Sequence, residues 1–300
     1  MAKQIIIALC EGPHDVSFIN RILKTAGFIS NEKMKLNQFP TPMNKLMASE
    51  FSKTDVEQLN LQELRKGVLP THTLQKEDNW VFLYSIDGDS KKKVRITIIN
   101  NLKANIRQAG EIKGDRGNVD TQFSVVYIFD ADYKGVAARL AEVLNEVKEV
   151  FTTLTANIFP ANSTFATVEK IKIGCHIITG ADNNTGKLED ILMPLMKSGN
   201  EVIFDNAETY LDTNFDQTRT FPLKLSIANN VVTEKRSEKK RDTDFDIQKS
   251  IIGITGQVQR SGKSNTTYIS DTDYLTLDKI NTNKKCQDII NFFNNFVNNL

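Results

Sequence analysis

The sequence predicts an α/β fold built on a mostly parallel sheet that is flanked by helices. Short apolar runs end abruptly at acidic residues, as IIIALC does before Glu11 and FSVVYIF does before Asp130. Runs of this kind are typical of strands buried on both faces of a parallel sheet. The runs alternate with helical patterns over the first 150 residues, which favours parallel strands joined by right-handed crossovers.

The chain opens with a predicted strand, turn and helix. The strand covers residues 3–10, and the helix covers 16–26, where apolar residues recur at helical spacing and Gly27 supplies a stop. The polar, proline-containing segment 28–78 is interpreted as an insert that alternates between loop and helix, with one helix at 56–66.

Two further strand–helix pairs complete the predicted core. A buried strand at 80–86 precedes a helix at 94–106, and a strand at 123–129 precedes a long helix at 135–152. The Gly- and charge-rich stretch 109–120 between these pairs is predicted to be a loop.

We expect residues 1–150 to form this core and residues 151–300 to form a C-terminal α/β extension that completes the site and packs on the core. The elements predicted in the extension are a strand at 168–178, a helix at 205–214, a solvated helix or loop at 233–246 and an amphipathic helix at 286–300.

The composition is that of a globular protein with a sizeable core. The chain of 300 residues is 40% hydrophobic and 25% charged, and its formal net charge is +1. This near-neutral charge gives no global electrostatic case for nucleic acid, although a local basic patch is compatible with it. Three isolated cysteines indicate a reducing compartment. Because no apolar stretch reaches the ~18 residues of a membrane span, we expect a cytoplasmic protein with no membrane contact.

Two acidic turns follow the first and third strands of the core. EGPHD supplies Glu11 and Asp15, and DAD supplies Asp130 and Asp132. Since open α/β sheets bind ligands at the carboxyl ends of their strands, we expect both turns at one edge. Carboxylates gathered there repel one another unless a cation lies between them, so the sequence predicts a site for Mg²⁺. The alternative is that Asp15 stabilises the first turn of its helix and Glu11 is solvated.

The pairing of EGPHD with IFDAD resembles the Toprim domain, the metal-binding fold of topoisomerases, primases and several nucleases. The resemblance covers roughly residues 3–150. By layout the chain is similar to small stand-alone Toprim nucleases related to the overcoming-lysogenization-defect family. This resemblance implies a magnesium-dependent nuclease that hydrolyses DNA or RNA, with Glu11, Asp130 and Asp132 as catalytic residues.

The same resemblance implies a larger metal-binding set. Such nucleases carry a further acidic motif downstream of the DxD, and TGKLEDIL with Glu189 is the candidate here. Glu11, Asp15, Asp130, Asp132 and Glu189 would then hold one or two Mg²⁺ ions, with Mn²⁺ as a substitute. Glu11 is the member credited with proton transfer. The alternative for Glu189 is a favourable charge at a helix N-terminus.

Lysines near these acidic motifs are candidates for contact with nucleic-acid phosphate. Lys91 and Lys92 follow the strand-end pair Asp87 and Asp89, and Lys187 lies in the downstream motif. Lysine suits this role because it is a mobile point charge. An exposed turn is the alternative for the segment around Lys91.

The segment GQVQRSGKSN superficially resembles a phosphate-binding P-loop. The Walker form has four residues between Gly and GK, whereas five separate Gly256 from Gly262 here. We therefore reject hydrolysis of nucleoside triphosphates. Arg260 and Lys263 stay candidates for contact with nucleic-acid phosphate.

Two other classes of function compete with the nuclease. The first is a non-catalytic or latent nucleic-acid-binding module, regulated by an ATPase partner or by self-association. The second is a phosphatase or receiver domain that uses Asp130, which the acidic turn after the first strand disfavours. A role in phage defence is an expectation from family analogy alone.

Overall fold

The structure is a computed structural model that describes residues 4–52, 69–86, 91–111, 121–236 and 245–298. The helix predicted at 56–66 and the strand-end pair Asp87 and Asp89 lie outside the described residues. So does the predicted loop from residue 112 onward.

The predicted α/β class with a mostly parallel sheet is confirmed. The sheet has seven strands, in the order β2-β3-β4-β1-β5-β7-β6. Strands β4, β1, β5 and β7 run parallel, whereas β2, β3 and β6 add antiparallel edges. The strands are β1 Gln4–Cys10, β2 Ile29–Ser30, β3 His72–Lys76, β4 Asn79–Ser85, β5 Gln122–Asp130, β6 Thr164–Val168 and β7 Ile171–Ile178.

The chain divides into two compact units. The first holds Met1–Ile191 with Thr276–Leu300, and the second holds Leu192–Leu275. Since β6 and β7 pair within the sheet of the first unit, that sheet extends past residue 150. The helices of the first unit are α1 Pro13–Thr25, α2 Met43–Ser52, α3 Lys92–Glu111, α4 Val136–Val150, the start of α5 Leu188–Lys197, α9 Leu277–Thr282 and α10 Lys284–Asn298.

The second unit contains helices and one hairpin. Its elements are the end of α5, α6 Glu201–Asn214, β8 Leu223–Ala228, β9 Val231–Arg236, α7 Ile247–Gln259 and α8 Asn265–Asp271. The hairpin β8–β9 is exposed along its whole length. The prediction of helix or loop at 233–246 is wrong for residues 233–236, which lie in β9.

Every residue of β1 and β7 is buried, as expected for strands covered on both faces. On one face, apolar residues of α2, α3 and α4 pack against side chains such as Tyr127 and Phe129. On the other face α10 lies close to the sheet at Gly174, where a Cβ atom would come within 2.3 Å of the Phe296 ring. The glycine therefore permits this close approach.

The strand predicted at 168–178 is confirmed for residues 171–178, which form β7, but Val168 ends β6 and the two residues between them form the turn of an antiparallel hairpin. The turn consists of Glu169 and Lys170, both with positive φ, of 46° and 71°. Paired positive φ values are typical of the type I′ hairpin turn, which usually contains Asn or Gly. Because neither residue is present, the sequence carries no turn signal at this position. The insert 28–78 likewise contains strands β2 and β3, which were not predicted.

Among the helices that the structure describes, none has both the length and the apolar character needed to cross a membrane.

His176 of β7 is buried and should make the stability of the protein depend on pH. Burial is the main cause that lowers the pKa of His176 to about 4; the charge of Asp288 opposes the shift, and the charge of Lys285 adds to it. Between pH 6.5 and 4 the unfolded chain therefore binds a proton that the folded protein does not. This contribution is fully present above pH 6.5 and is lost as the pH falls, by roughly 2–3 kcal/mol.

Urea unfolding at pH 7.5, 5.5 and 4.5 checks this expectation. His176→Gln should lose stability less steeply than the wild type over that range, whereas the control His72→Gln, at a more exposed histidine, should follow the wild type. Equal slopes for His176→Gln and the wild type would contradict the assignment.

Candidate functional site

The two predicted acidic turns meet at the carboxyl edge of the sheet. β1 and β5 are parallel neighbours in register, with Cys10 opposite Ile128. Glu11 follows β1 directly, and its Oε2 accepts a hydrogen bond of 3.1 Å from the backbone N–H of Asp130, the last residue of β5. The expectation that these two turns lie together is met, and Glu11 is held by the neighbouring strand.

Asp15 lies in the first turn of α1 and has two unlike carboxylate oxygens. Its Oδ2 accepts a 2.8 Å hydrogen bond from the N–H of Gly12, which is a capping contact at the start of the helix. Its Oδ1 is buried and has no hydrogen-bond partner, and the residue is only 5% exposed. A buried acceptor without a partner costs about 1–3 kcal/mol, so capping alone does not explain Asp15.

Asp130 and Asp132 are both tied to the loop that follows β7. The Oδ1 atom of Asp130 accepts a 3.0 Å hydrogen bond from the N–H of Leu188. Asp132 has a positive φ of 48° and pairs with Gly186 through two backbone hydrogen bonds of 2.7 and 2.9 Å. The extended backbone of β5 therefore ends before Asp132. Gly186 has a φ of 109°, and a Cβ there would lie 2.6 Å from the backbone N of Gly180. The position therefore requires glycine.

Glu189 joins the same cluster from the first turn of α5. The side chain is 2% exposed, and its Oε1 lies 3.2 Å from Nδ1 of His14. His14 belongs to the EGPHD turn, so this pair links the downstream acidic motif to the first turn.

Burial and mutual repulsion raise the pKa values of two of these carboxyl groups. The pKa of Asp15 rises to about 7, mainly through burial and then through the charges of Glu11 and Glu189. Burial also raises the pKa of Asp130 well above its usual range, with further contributions first from Asp15 and least from Asp132. The other four predicted metal-binding residues therefore lie within electrostatic reach of Asp130, and the cluster favours a bound positive charge.

Arg139 of α4 supplies positive charge to this cluster and was not predicted as a site residue. Its side chain is almost fully buried. Its Nε donates a 2.9 Å hydrogen bond to the backbone carbonyl of Asp130, and the guanidinium forms ion pairs with Asp132 and, at 3.0 Å, with Glu142. The Oε1 atom of Glu11 lies 3.9 Å away.

A signal for Arg139 is present in the sequence. The buried stripe of α4 contains Arg139 and Glu146 among apolar residues. Charged residues are almost never fully buried unless they are paired, so charges on an apolar helical stripe indicate buried partners. Glu146 finds its partner in Arg95, with three hydrogen bonds of 2.8 to 3.1 Å.

In the described part of the chain, no group of three or more His, Cys, Asp or Glu side chains is arranged so that it could hold a metal ion. In chemical type the carboxylates of the cluster nevertheless suit a hard divalent cation, and they include the unsatisfied Oδ1 of Asp15. Asp132 fits less well, since its carboxylate is paired with Arg139.

The predicted phosphate-binding residues are distributed over both units. Lys92, at the start of α3, forms an ion pair with Glu149, and Lys91 precedes that helix. The backbone N–H of Lys187 donates to Asp190, beside the acidic cluster.

Arg260 and Lys263 lie in the second unit. The guanidinium of Arg260 is 3.7 Å from the carboxylate of Asp271, and the carbonyl of Lys263 accepts a hydrogen bond from Tyr268. Their role in phosphate binding stays a prediction.

Fold and site together define an α/β protein with a buried carboxylate cluster at the carboxyl edge of its sheet. The model of the family described as a protein of unknown function, DUF3226, matches residues 6–298, and the chain belongs to this family. No curated protein matches the chain. The crystal structure of a hypothetical protein from Pyrococcus horikoshii OT3 is similar at 16% sequence identity and a TM-score of 0.46, covering 97% of this chain and 94% of that one. A likeness of this degree supports no conclusion about the site.

Arg139→Met should destabilise the protein in buffer without divalent ions. The substitution keeps the bulk of the side chain but removes the charge that faces Asp132 and Glu142 and the hydrogen bond to the carbonyl of Asp130, and an acceptor left unsatisfied costs about 1–3 kcal/mol. Urea unfolding in the presence of EDTA measures the loss. Glu142→Gln is the control, because Glu142 is 47% exposed and exposed pairs contribute about 0–1 kcal/mol. A loss of less than about 1 kcal/mol for Arg139→Met would show that Arg139 does not stabilise the cluster.

Proposed function

We propose that this chain is a magnesium-dependent nuclease of the Toprim type, which hydrolyses phosphodiester bonds of DNA or RNA. The observation that carries the proposal is the cluster of Glu11, Asp15, Asp130 and Glu189, in which the buried Oδ1 of Asp15 has no hydrogen-bond partner. Repulsion among buried carboxylates is unfavourable in the absence of a cation, and oxygen ligands of this type suit Mg²⁺ or Mn²⁺.

Asp15, Asp130 and Glu189 are the residues that would hold the ion. When bound, Mg²⁺ supplies Lewis-acid stabilisation of the phosphate and makes a coordinated water more acidic. Asp130 is oriented by the N–H of Leu188, and Glu189 lies against His14. Each carboxylate is therefore held in place by a neighbouring group of the chain.

Glu11 is the proposed proton-transfer residue. Its Oε2 is held by the N–H of Asp130, while its side chain keeps 23% exposure to solvent. A carboxylate that is both positioned and accessible to water can accept a proton from an attacking water or return one to a leaving oxygen.

In this proposal Arg139 and Asp132 act as a pair. The guanidinium holds the Asp132 carboxylate and the Asp130 carbonyl, so it fixes the end of β5 beside the ion-binding residues. The sequence predicts Asp132 as a catalytic metal ligand. Because its carboxylate is paired with Arg139, we assign it a positioning role instead.

The second candidate function is a latent or non-catalytic nucleic-acid-binding module that is regulated by a partner. The observation that favours it is the pairing of two predicted functional residues within the chain: Asp132 with Arg139, and Lys92 with Glu149. An ATPase partner, self-association, a role in phage defence and a cytoplasmic location belong to the proposal as expectations from the sequence.

Glu11→Gln and Asp130→Asn should each abolish Mg²⁺-dependent cleavage while leaving the fold intact. Both changes keep the shape of the side chain and remove its charge. The measurement is cleavage of plasmid, single-stranded DNA and tRNA with Mg²⁺ or Mn²⁺, together with thermal unfolding followed by circular dichroism. Glu208→Gln, at an exposed carboxylate on α6, serves as the control and should cleave like the wild type.

The outcomes separate the two candidates. Cleavage by both variants at the wild-type rate would overturn the assigned site. Metal binding by a wild-type protein that cuts none of the three substrates would instead favour the latent module.

A further inference from the structure

A cavity of about 380 Å³ lies on the face of the sheet that α10 covers. Its volume is within the range of about 300–1,000 Å³ found for small-ligand pockets. The polar side chains that line it include Ser163, His176, Lys285, Asp288, Asn291 and Asn295, and the buried ring of Phe292 forms part of the wall. All of these residues belong to the first unit.

The inner wall of the cavity is held in a fixed arrangement. Asn162 forms two hydrogen bonds with the backbone of Ile177, through its Oδ1 at 2.7 Å and its Nδ2 at 2.8 Å. The neighbouring Ser163 places its Oγ 2.8 Å from Nδ1 of His176. The His176 ring lines the cavity, and within the described chain its Nε2 has no protein hydrogen bond.

The outer wall is formed by one face of α10. Asn291 and Asn295 are one helical turn apart and exposed, and neither side-chain amide has a hydrogen bond to another described residue. The ring of Phe292 lies between them in sequence and is 5.5 Å from the His176 ring, at an interplanar angle of 36°. Lys285 brings a positive charge to the same cavity.

This set of groups matches the chemistry of a nucleotide. Asn amides pair with the donor and acceptor edges of bases. A lysine ammonium binds phosphate. A purely apolar ligand would leave these polar groups unsatisfied, and a simple anion would leave the two amides without a role.

The cavity adjoins the carboxylate cluster through the loop of residues 179–187. Lys285 donates hydrogen bonds of 2.6 Å to Thr179 and 2.7 Å to Asn183 on the cavity side of this loop. At its other end the loop pairs with Asp132 through Gly186. The strand residue before the loop, Ile178, lies opposite Asp130 in the sheet.

We propose that this cavity binds one unpaired nucleotide of the substrate, next to the phosphodiester that is cleaved at the carboxylate cluster. The proposal rests on the proposed nuclease function and specifies its substrate as single-stranded nucleic acid. A base enters such a cavity only when it is unstacked, and unstacking is least costly in a strand that is already single.

The test is titration of the metal-free protein with AMP, CMP, GMP and UMP, followed by NMR shifts or calorimetry. The double variant Asn291→Ala/Asn295→Ala should bind the preferred nucleotide at least ten-fold more weakly than the wild type. Asn206→Ala, at an exposed asparagine of α6, is the matched control and should bind like the wild type. Inorganic phosphate alone should bind more weakly than the nucleotide, because it leaves the amides unused.

Two results would overturn the proposal: no nucleotide binding by the wild type at millimolar concentration, or equal binding by the wild type and the double variant. Cleavage provides the second arm, in which the wild type should cut single-stranded substrates at least ten-fold faster than duplex of the same sequence. Equal rates on the two would also overturn it. Since the titration contains no divalent ion, nucleotide binding without cleavage would keep the cavity as a nucleotide site and reject the nuclease instead.

Discussion

The repulsion among carboxylates at the carboxyl edge of the sheet is the constraint on which the site depends. Five acidic side chains converge there, and burial raises the pKa values of Asp15 and Asp130. Backbone N–H groups and the buried guanidinium of Arg139 compensate part of this charge. The Oδ1 atom of Asp15 is left without a partner. A fold that buries like charges needs a positive charge beside them, and in our account the bound cation supplies the remainder.

The loop of residues 179–187 connects this cluster to the rest of the first unit. Gly186 pairs with Asp132 on one side, and Lys285 holds Thr179 and Asn183 on the other. A ligand that draws Lys285 toward itself would therefore act on the loop that leads to Leu188, whose N–H holds Asp130. The proposed nucleotide cavity and the candidate metal centre thus share one structural element, which would link nucleotide binding to the geometry of the carboxylates.

The sequence predicts the strand ends of the site well because apolar runs and acidic turns are local signals. The strand before Glu11, the strand before Asp130 and the helix after Asp15 all follow from such patterns. The charge on the apolar stripe of α4 indicates that Arg139 has a buried partner, but the sequence does not identify Asp132 and the Asp130 carbonyl as the groups that it contacts. The β6–β7 hairpin is not predicted because its turn consists of Glu169 and Lys170 in place of the usual Asn or Gly. The contact between Gly186 and Asp132 depends on a tertiary approach that spacing alone does not show.

The most direct test of the central claim is thermal unfolding of the wild type and Asp15→Asn, each in EDTA and in Mg²⁺. The amide keeps an acceptor for the N–H of Gly12 but removes a charge from the cluster. In EDTA we expect Asp15→Asn to melt at a higher temperature than the wild type, because repulsion is relieved. In Mg²⁺ the melting temperature of the wild type should rise and that of the variant should rise little. The difference in melting temperature between the two proteins should therefore shrink or change sign. If Mg²⁺ stabilises neither protein, or stabilises both equally, the carboxylate cluster is not a metal centre.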